Sequence, residues 1–152
     1  MHVSAKVDYA LRALIEIVRD PGHAPVPAEK LGRLQNIPTG FLQAILGDLR
    51  RAGIVRSVRG QGGGWLLATS PESVSVAHVL RAVDGPLVSV HGQRPENVEY
   101  DESAKVLQHV WIAARSGLRD ILENVSLVDL ASGELQPEIL ARTNDVEAWQ
   151  PR

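Results

Sequence analysis

Four arginines, Arg50, Arg51, Arg56 and Arg59, fall between Leu49 and Ala68, and no acidic residue falls among them. A guanidinium has a fixed charge and five donors in a planar fork, so its chemistry is the binding of phosphate or carboxylate. Ile54-Val55-Arg56-Ser57-Val58 alternates apolar and polar residues as a strand does. Arg59-Gly60-Gln61-Gly62-Gly63-Gly64 follows, and its glycines tolerate the positive φ of a sharp reversal. Trp65-Leu66-Leu67-Ala68 then reads as the return strand. A basic hairpin directly after a helix end and a turn at Gly53 is the wing of a winged helix, whose usual partner is DNA phosphate.

Other chemistry is weak in this sequence. Gly60 to Gly64 lacks the Lys-Ser/Thr pair of a phosphate-binding loop, and a strand rather than a helix follows it. Trp65 stands where a dinucleotide fingerprint needs its third glycine. His2, His23, His78, His91 and His109 have no metalloprotein spacing, and no Ser/His/acid set is recognisable. We therefore expect no catalytic residue, no metal and no cofactor.

The elements that must position the wing follow from periodicity. Ser4 is a suitable N-cap for a first helix with Val7, Leu11, Leu14, Ile15 and Val18 on one face, ended by Asp20-Pro21-Gly22. A second helix, about Pro27 to Gln35, is expected to bury Leu31 and Leu34. Asn36-Ile37-Pro38-Thr39 is a tight turn, and a third helix carries Leu42, Ile45, Leu46 and Leu49 at i, i+3, i+4, i+7. Two helices joined by so short a turn form a helix-turn-helix, in which the second normally enters the major groove. Alone they would fit an ordinary αα-hairpin, but the basic hairpin downstream decides for DNA binding. Thr39, Gly40, Gln43 and Ala44 lie on the groove side, where Gln43 is suited to bond adenine in bidentate fashion. Arg50 and Arg51 at the helix end suit phosphate.

Downstream of the wing, Ser75 caps a short helix to Val83, closed by Asp84-Gly85-Pro86. Residues 87 to 101 look loop-like. Leu107, Val110, Trp111, Ala114, Leu118, Ile121 and Leu122 then form one apolar stripe on a helix too long for a small domain to cover. We assign that stripe to a two-fold seam, with part of it packing on its own chain. Ser126 starts a further short helix through Leu130.

The 152 residues contain no cysteine, which excludes disulfides, thiolate metal sites and thiol redox sensing. No apolar run approaches the length of a membrane span. The start MHVSAKVDY lacks the order of a signal peptide, so the expected location is the cytoplasm. The net charge of −2 hides an asymmetry. Residues 1–68 carry 9 Lys and Arg against 5 Asp and Glu, while residues 69–152 carry 7 against 13. The half with the hairpin is the basic half, and local charge steers a polyanion.

These residues together resemble the Rrf2-type winged-helix regulators, the group of IscR, NsrR and CymR. The resemblance spans about residues 1–130. It rests on Ser4-Ala5-Lys6 with Tyr9-Ala10-Leu11-Arg12-Ala13-Leu14, on Phe41-Leu42, and above all on Leu49 through Ala68. Val79-Leu80-Arg81-Ala82-Val83-Asp84-Gly85-Pro86-Leu87 closes it. It implies a homodimeric DNA-binding regulator of mainly α fold with one small β-hairpin and a long C-terminal dimerisation helix. The implied division is a winged helix-turn-helix domain at 1–86, a loop and dimerisation helices at 87–131, and a mobile tail at 132–152.

The resemblance also implies that Arg59, with Gly60 and Gln61 beside it, enters the minor groove, and that Ser4, Lys6 and Tyr9 approach backbone phosphate. Well-known members hold an iron–sulfur cluster on three cysteines in the loop before the dimer helix. Here that loop, Val88 to Asp101, has none, so a cluster-free member is expected. His91, Glu96, Glu99 and Asp101 offer nitrogen and oxygen ligands to a harder metal, but a solvated loop is the simpler reading. We expect a repressor acting as a homodimer on a palindromic operator, with room for a small-molecule or protein effector. The alternative is a winged-helix protein-interaction module with little DNA binding.

Overall fold

The computed structural model describes residues 2–151. Helix α1 (Ala5–Arg19) starts where Ser4 Oγ accepts the Val7 amide at 3.2 Å. Helix α2 (Ala28–Gln35) begins one residue after Pro27 and ends at Asn36, which takes a left-handed conformation at φ 53°. That residue reverses the chain, and the Ile37 amide returns to the Gly32 carbonyl at 2.8 Å. The reversal is tight at Gly32, where a Cβ would lie 2.8 Å from the Ile37 carbonyl oxygen. Helix α3 (Thr39–Arg51) follows at once. The helix-turn-helix is therefore set by one left-handed residue and one close backbone approach.

Leu42, Ile45, Leu46 and Leu49 are fully buried, as their spacing predicts, in one core with Leu14, Leu31, Val55 and Leu127. Leu34 departs from expectation, being 55% exposed. The inner face of α2 is Ala28, Leu31 and Gly32, and the reversal at Asn36 brings Ile37 into the core. Leu34 lies further round the helix, and no element covers it there.

Strands β1 (Val55–Val58) and β2 (Gly64–Leu67) pair antiparallel, with Val55 opposite Leu67 and Ser57 opposite Trp65. Val26 adds a bridge on the far side of β2, exchanging amide–carbonyl bonds with Trp65 at 2.8 and 2.9 Å. A Cβ on Gly64 would lie 2.5 Å from the Val26 carbonyl carbon, so glycine is what admits this contact. The wing is thus fastened to the segment that leads into α2.

Helix α4 (Val76–Val83) opens on a capping box at Ser75, and α6 (Leu127–Ser132) opens on another at Ser126. The two starts bridge each other, with the Val76 amide on Val125 carbonyl at 2.9 Å and the Leu127 amide on Val74 carbonyl at 3.0 Å. Between them runs α5 (Val106–Leu122), which has no buried residue. On its inner side Trp111 Nε1 donates to the Tyr100 hydroxyl at 3.1 Å, and Leu122 packs on the Val7, Ala77, Leu80 and Leu87 cluster. On its outer side Leu107 and Val110 stand exposed. The loop before α5 holds a Val90–Gln93 bridge and a 3-10 turn at Pro95–Asn97. Beyond Gly133, where the sequence reading puts a mobile tail, helix α7 (Pro137–Thr143) and a 3-10 turn at Val146–Trp149 lie on the surface. Among the described residues, no helix is long and apolar enough to cross a membrane.

Candidate nucleic-acid interface

Burying Leu42, Ile45, Leu46 and Leu49 turns the opposite face of α3 outward. Gly40, Gln43, Ala44 and Arg51 are exposed on it, and Thr39 and Gly47 are half-buried. These are helix neighbours at spacings of three and four, so they form one continuous surface. The small residues Gly40, Ala44 and Gly47 leave Gln43 as the long polar side chain over the first turns, with Arg51 at the far end.

The first turn of α3 is held against α1 by an aromatic contact. Phe41 meets Tyr9 edge to face, with centroids 5.8 Å apart and planes at 89°. The Arg12 guanidinium carbon lies 5.4 Å from the Tyr9 ring centroid. Arg12 Nε donates to Gln35 Oε1 at 2.9 Å, a second guanidinium nitrogen donates to the Gln35 carbonyl, and a third contact at 3.2 Å pairs it with Asp8. Arg12 thereby fixes the end of α2 to α1. Tyr9, read from sequence as a phosphate contact, has this packing role as well. Ser4 Oγ likewise accepts the Val7 amide in the α1 cap, which leaves its O–H free to donate. Lys6 is exposed one turn away.

At the other end of α3, Arg50 is exposed and lies over the Trp65 ring, 6.0 Å from its centroid, while Arg51 pairs with Asp48. Arg59, Gly60 and Gln61 are exposed at the wing tip, with the Gly63 amide closing the turn on the Gly60 carbonyl at 2.9 Å. Neither Arg59 nor Arg56 forms an ion pair among the described residues. The basic side chains of the wing are thus free to meet a polyanion, and only Arg51 is internally neutralised.

Sequence reasoning gave no site role to Phe41 or Arg12. Their signal was present in the spacing Asp8, Tyr9, Arg12, one helix turn that carries an acid, a ring and a guanidinium. Arg56 belongs to the basic run, but its spacing assigns it no particular contact. It stands exposed on β1, opposite Leu66.

The loop from Val88 to Asp101 does not fit an iron–sulfur cluster. The chain supplies no thiolate, and Glu96 is already engaged by Arg115 at 2.5 Å. The Glu96 backbone amide and that guanidinium hold its carboxyl below the ordinary range. No group of three or more His, Asp or Glu residues is placed to hold a metal ion among the described residues.

A helix-turn-helix with an outward polar face and a basic wing beside it defines a winged-helix transcriptional regulator. Residues 3–133 match the model of the Rrf2 family, described as iron-dependent transcriptional regulators. The chain belongs to that family, whose members are not enzymes. Rv1287 of Mycobacterium tuberculosis, which carries the name of an HTH-type transcriptional regulator, is 37% identical over 99% of this chain and 93% of its own length. The Bacillus subtilis HTH-type transcriptional regulator CymR is 31% identical over 87% of this chain and 91% of its own. The solved structure of CymR, the global cysteine regulator of B. subtilis, superposes with a TM-score of 0.73 at 29% identity, covering 88% of this chain and 98% of that one.

Proposed function

We propose that this protein is a cluster-free repressor that binds an imperfectly palindromic operator as a homodimer in the cytoplasm. The observation that carries the reading is the outward face of α3, where Gln43 stands among small residues beside a wing whose Arg56 and Arg59 have no ion-pair partner among the described residues. Gln43 reads a base edge in the major groove, and Arg59, flanked by Gly60 and Gln61, reaches the adjoining minor groove. Thr39, Lys6, Tyr9, Arg50 and the amide end of α1 near Ser4 meet backbone phosphate and fix the register. Arg51 joins them by exchanging Asp48 for phosphate.

Dimerisation is supported by α5. Val106, Leu107 and Val110 are 39–64% exposed, a costly arrangement unless a second helix covers them. Ala114 and Gly117 continue that face with small side chains, and a Cβ at Gly117 would meet nothing within 4 Å. A mid-helix glycine costs about 1 kcal/mol relative to alanine, and nothing among the described residues requires one here. Close approach by a symmetry-related α5 supplies the reason. Ile121 extends the seam, while Trp111, Leu118 and Leu122 face the protein's own loop and core and support it from behind.

The test is genome-wide binding-site mapping followed by mobility shifts on the recovered fragments. The expected result is a palindrome whose half-site centres lie about one helical turn, or a multiple of it, apart. Equal affinity for random DNA at every salt concentration would remove sequence-specific regulation and favour the protein-interaction reading.

A further inference from the structure

The half of the chain that follows the wing is acidic, yet four of its seven Lys and Arg residues line one cavity. Arg81 comes from α4, Arg94 from the loop, and Arg115 and Arg119 from successive turns of α5. The cavity holds about 430 Å³ and is completed by Glu96 and the Gly85-Pro86-Leu87 turn. Glu96 pairs with Arg115 at 2.5 Å, and Glu123 accepts from Arg119 Nε at 3.0 Å and from Arg81. Four guanidiniums against two carboxylates leave a local charge of +2. Arg94 forms no hydrogen bond or ion pair among the described residues and acts on Glu96 only through space. Each paired guanidinium has five donors, so a single carboxylate contact leaves most of them unfilled.

We propose that this cavity binds a small multivalent anion, one carrying two or more carboxylate or phosphate groups. Guanidiniums arriving from three segments around a space of this size match several charged groups on one molecule, not a single monovalent ion. The Gly85-Pro86-Leu87 turn and Glu96 shape the remaining wall. Arg115 and Arg119 lie roughly 110° and 150° around α5 from the Leu107, Val110 and Ala114 face, so a seam there leaves the cavity open. An occupant draws Arg94 and α5 towards α4, and α4 packs on α3. Binding is therefore coupled to the DNA-reading helix, and that coupling, unlike the site itself, rests on the function proposed above.

The experiment uses the full chain at constant ionic strength. Citrate and inorganic pyrophosphate are titrated by calorimetry, with acetate as the monovalent control, so that the two arms separate carboxylate from phosphate ligands. Saturable binding of at least one probe is expected at or below about 1 mM, with acetate silent. Arg94→Ala breaks no ion pair, should keep the wild-type melting temperature, and should weaken that binding at least about tenfold. Arg142→Ala, on the surface of α7, should bind as wild type. If neither probe binds, or if Arg94→Ala and Arg115→Ala both bind as tightly as wild type, the site is overturned. Repeating the mobility shift with saturating probe tests the coupling. Binding of the probe without a change in DNA affinity sustains the site and overturns the coupling, whereas failure to bind any DNA strikes only the function above.

Discussion

Arg50 at the end of α3 lies over Trp65 in β2, its guanidinium carbon 6.0 Å from the indole centroid. The contact joins α3 to the wing and narrows the positions open to Arg50, proposed above to meet phosphate. A cation–π contact at an exposed site is worth about 0.5–1 kcal/mol. Trp65→Leu should therefore weaken operator binding about two- to fivefold, and Trp65→Phe should weaken it less. In a double-mutant cycle, Arg50→Ala should cost less in the Trp65→Leu background than in wild type. Equal costs in both backgrounds would mean the two residues act independently.

Gln43 and Arg59 should separate by salt and by sequence. Gln43→Ala should cost about 1–3 kcal/mol on the operator and relax preference at one base position. Arg59→Ala should make the salt dependence shallower by about one unit per subunit, and its effect should grow when the flanks are A·T-rich. Titrations at several salt concentrations on A·T-rich and G·C-rich flanks check both. A wing that leaves DNA untouched would show wild-type slopes for Arg59→Ala.

Assembly turns on the outer face of α5. Val110→Glu places a charge in the proposed seam and Gly117→Leu fills the space at its closest approach, so both should yield monomers in sedimentation. Gly117→Ala isolates the reason for the glycine. In a monomer it would stabilise the helix by about 1 kcal/mol, and in a tight dimer it should instead weaken association.

Protein purified without oxygen should be colourless and should bind DNA identically before and after oxidation. Iron and sulfide in stoichiometric amounts, or an absorbance that bleaches in air, would contradict the chemistry of a chain with no thiolate.

Acid should loosen the start of α6. The Asp129 carboxylate accepts the Ser126 amide at 2.7 Å and its hydroxyl at 2.8 Å, and these bonds hold its pKa below the ordinary 3.8. Because the folded value is the lower one, this stabilisation is complete above 3.8 and is lost as the pH falls through the folded value. Ser126→Ala should cost about 1 kcal/mol near neutrality, and Asp129→Asn should flatten the acid limb of the stability profile. Urea midpoints measured across that limb decide the matter.

Much of this fold was legible because its signals are local. The stripe of Leu42, Ile45, Leu46 and Leu49 fixes which face of α3 is left outward, and the serine caps at positions 4, 75 and 126 mark three helix starts. Leu34 was misread because its burial depends on where the chain goes after α2, which the left-handed residue at Asn36 decides. The Arg12 link to Gln35 and the arginine-lined cavity were hidden for a related reason. Each gathers residues distant in sequence, and only the packed helices bring them together.

The bridge between Ser75 and Ser126 also bears on how the chain acquires its structure. Leu127 is fully buried in the same core as Leu14, and Arg19 Nε reaches the Ala131 carbonyl at 2.8 Å. Helix α3 thus shares its core with a segment that leaves the ribosome well after it. A nascent chain that has emerged only as far as the wing still lacks one wall around α1, and contacts this distant in sequence form late. Products that stop short of Leu127 would expose that apolar surface and be open to proteolysis, so completion of the DNA-binding fold is tied to synthesis through α6, far beyond the wing.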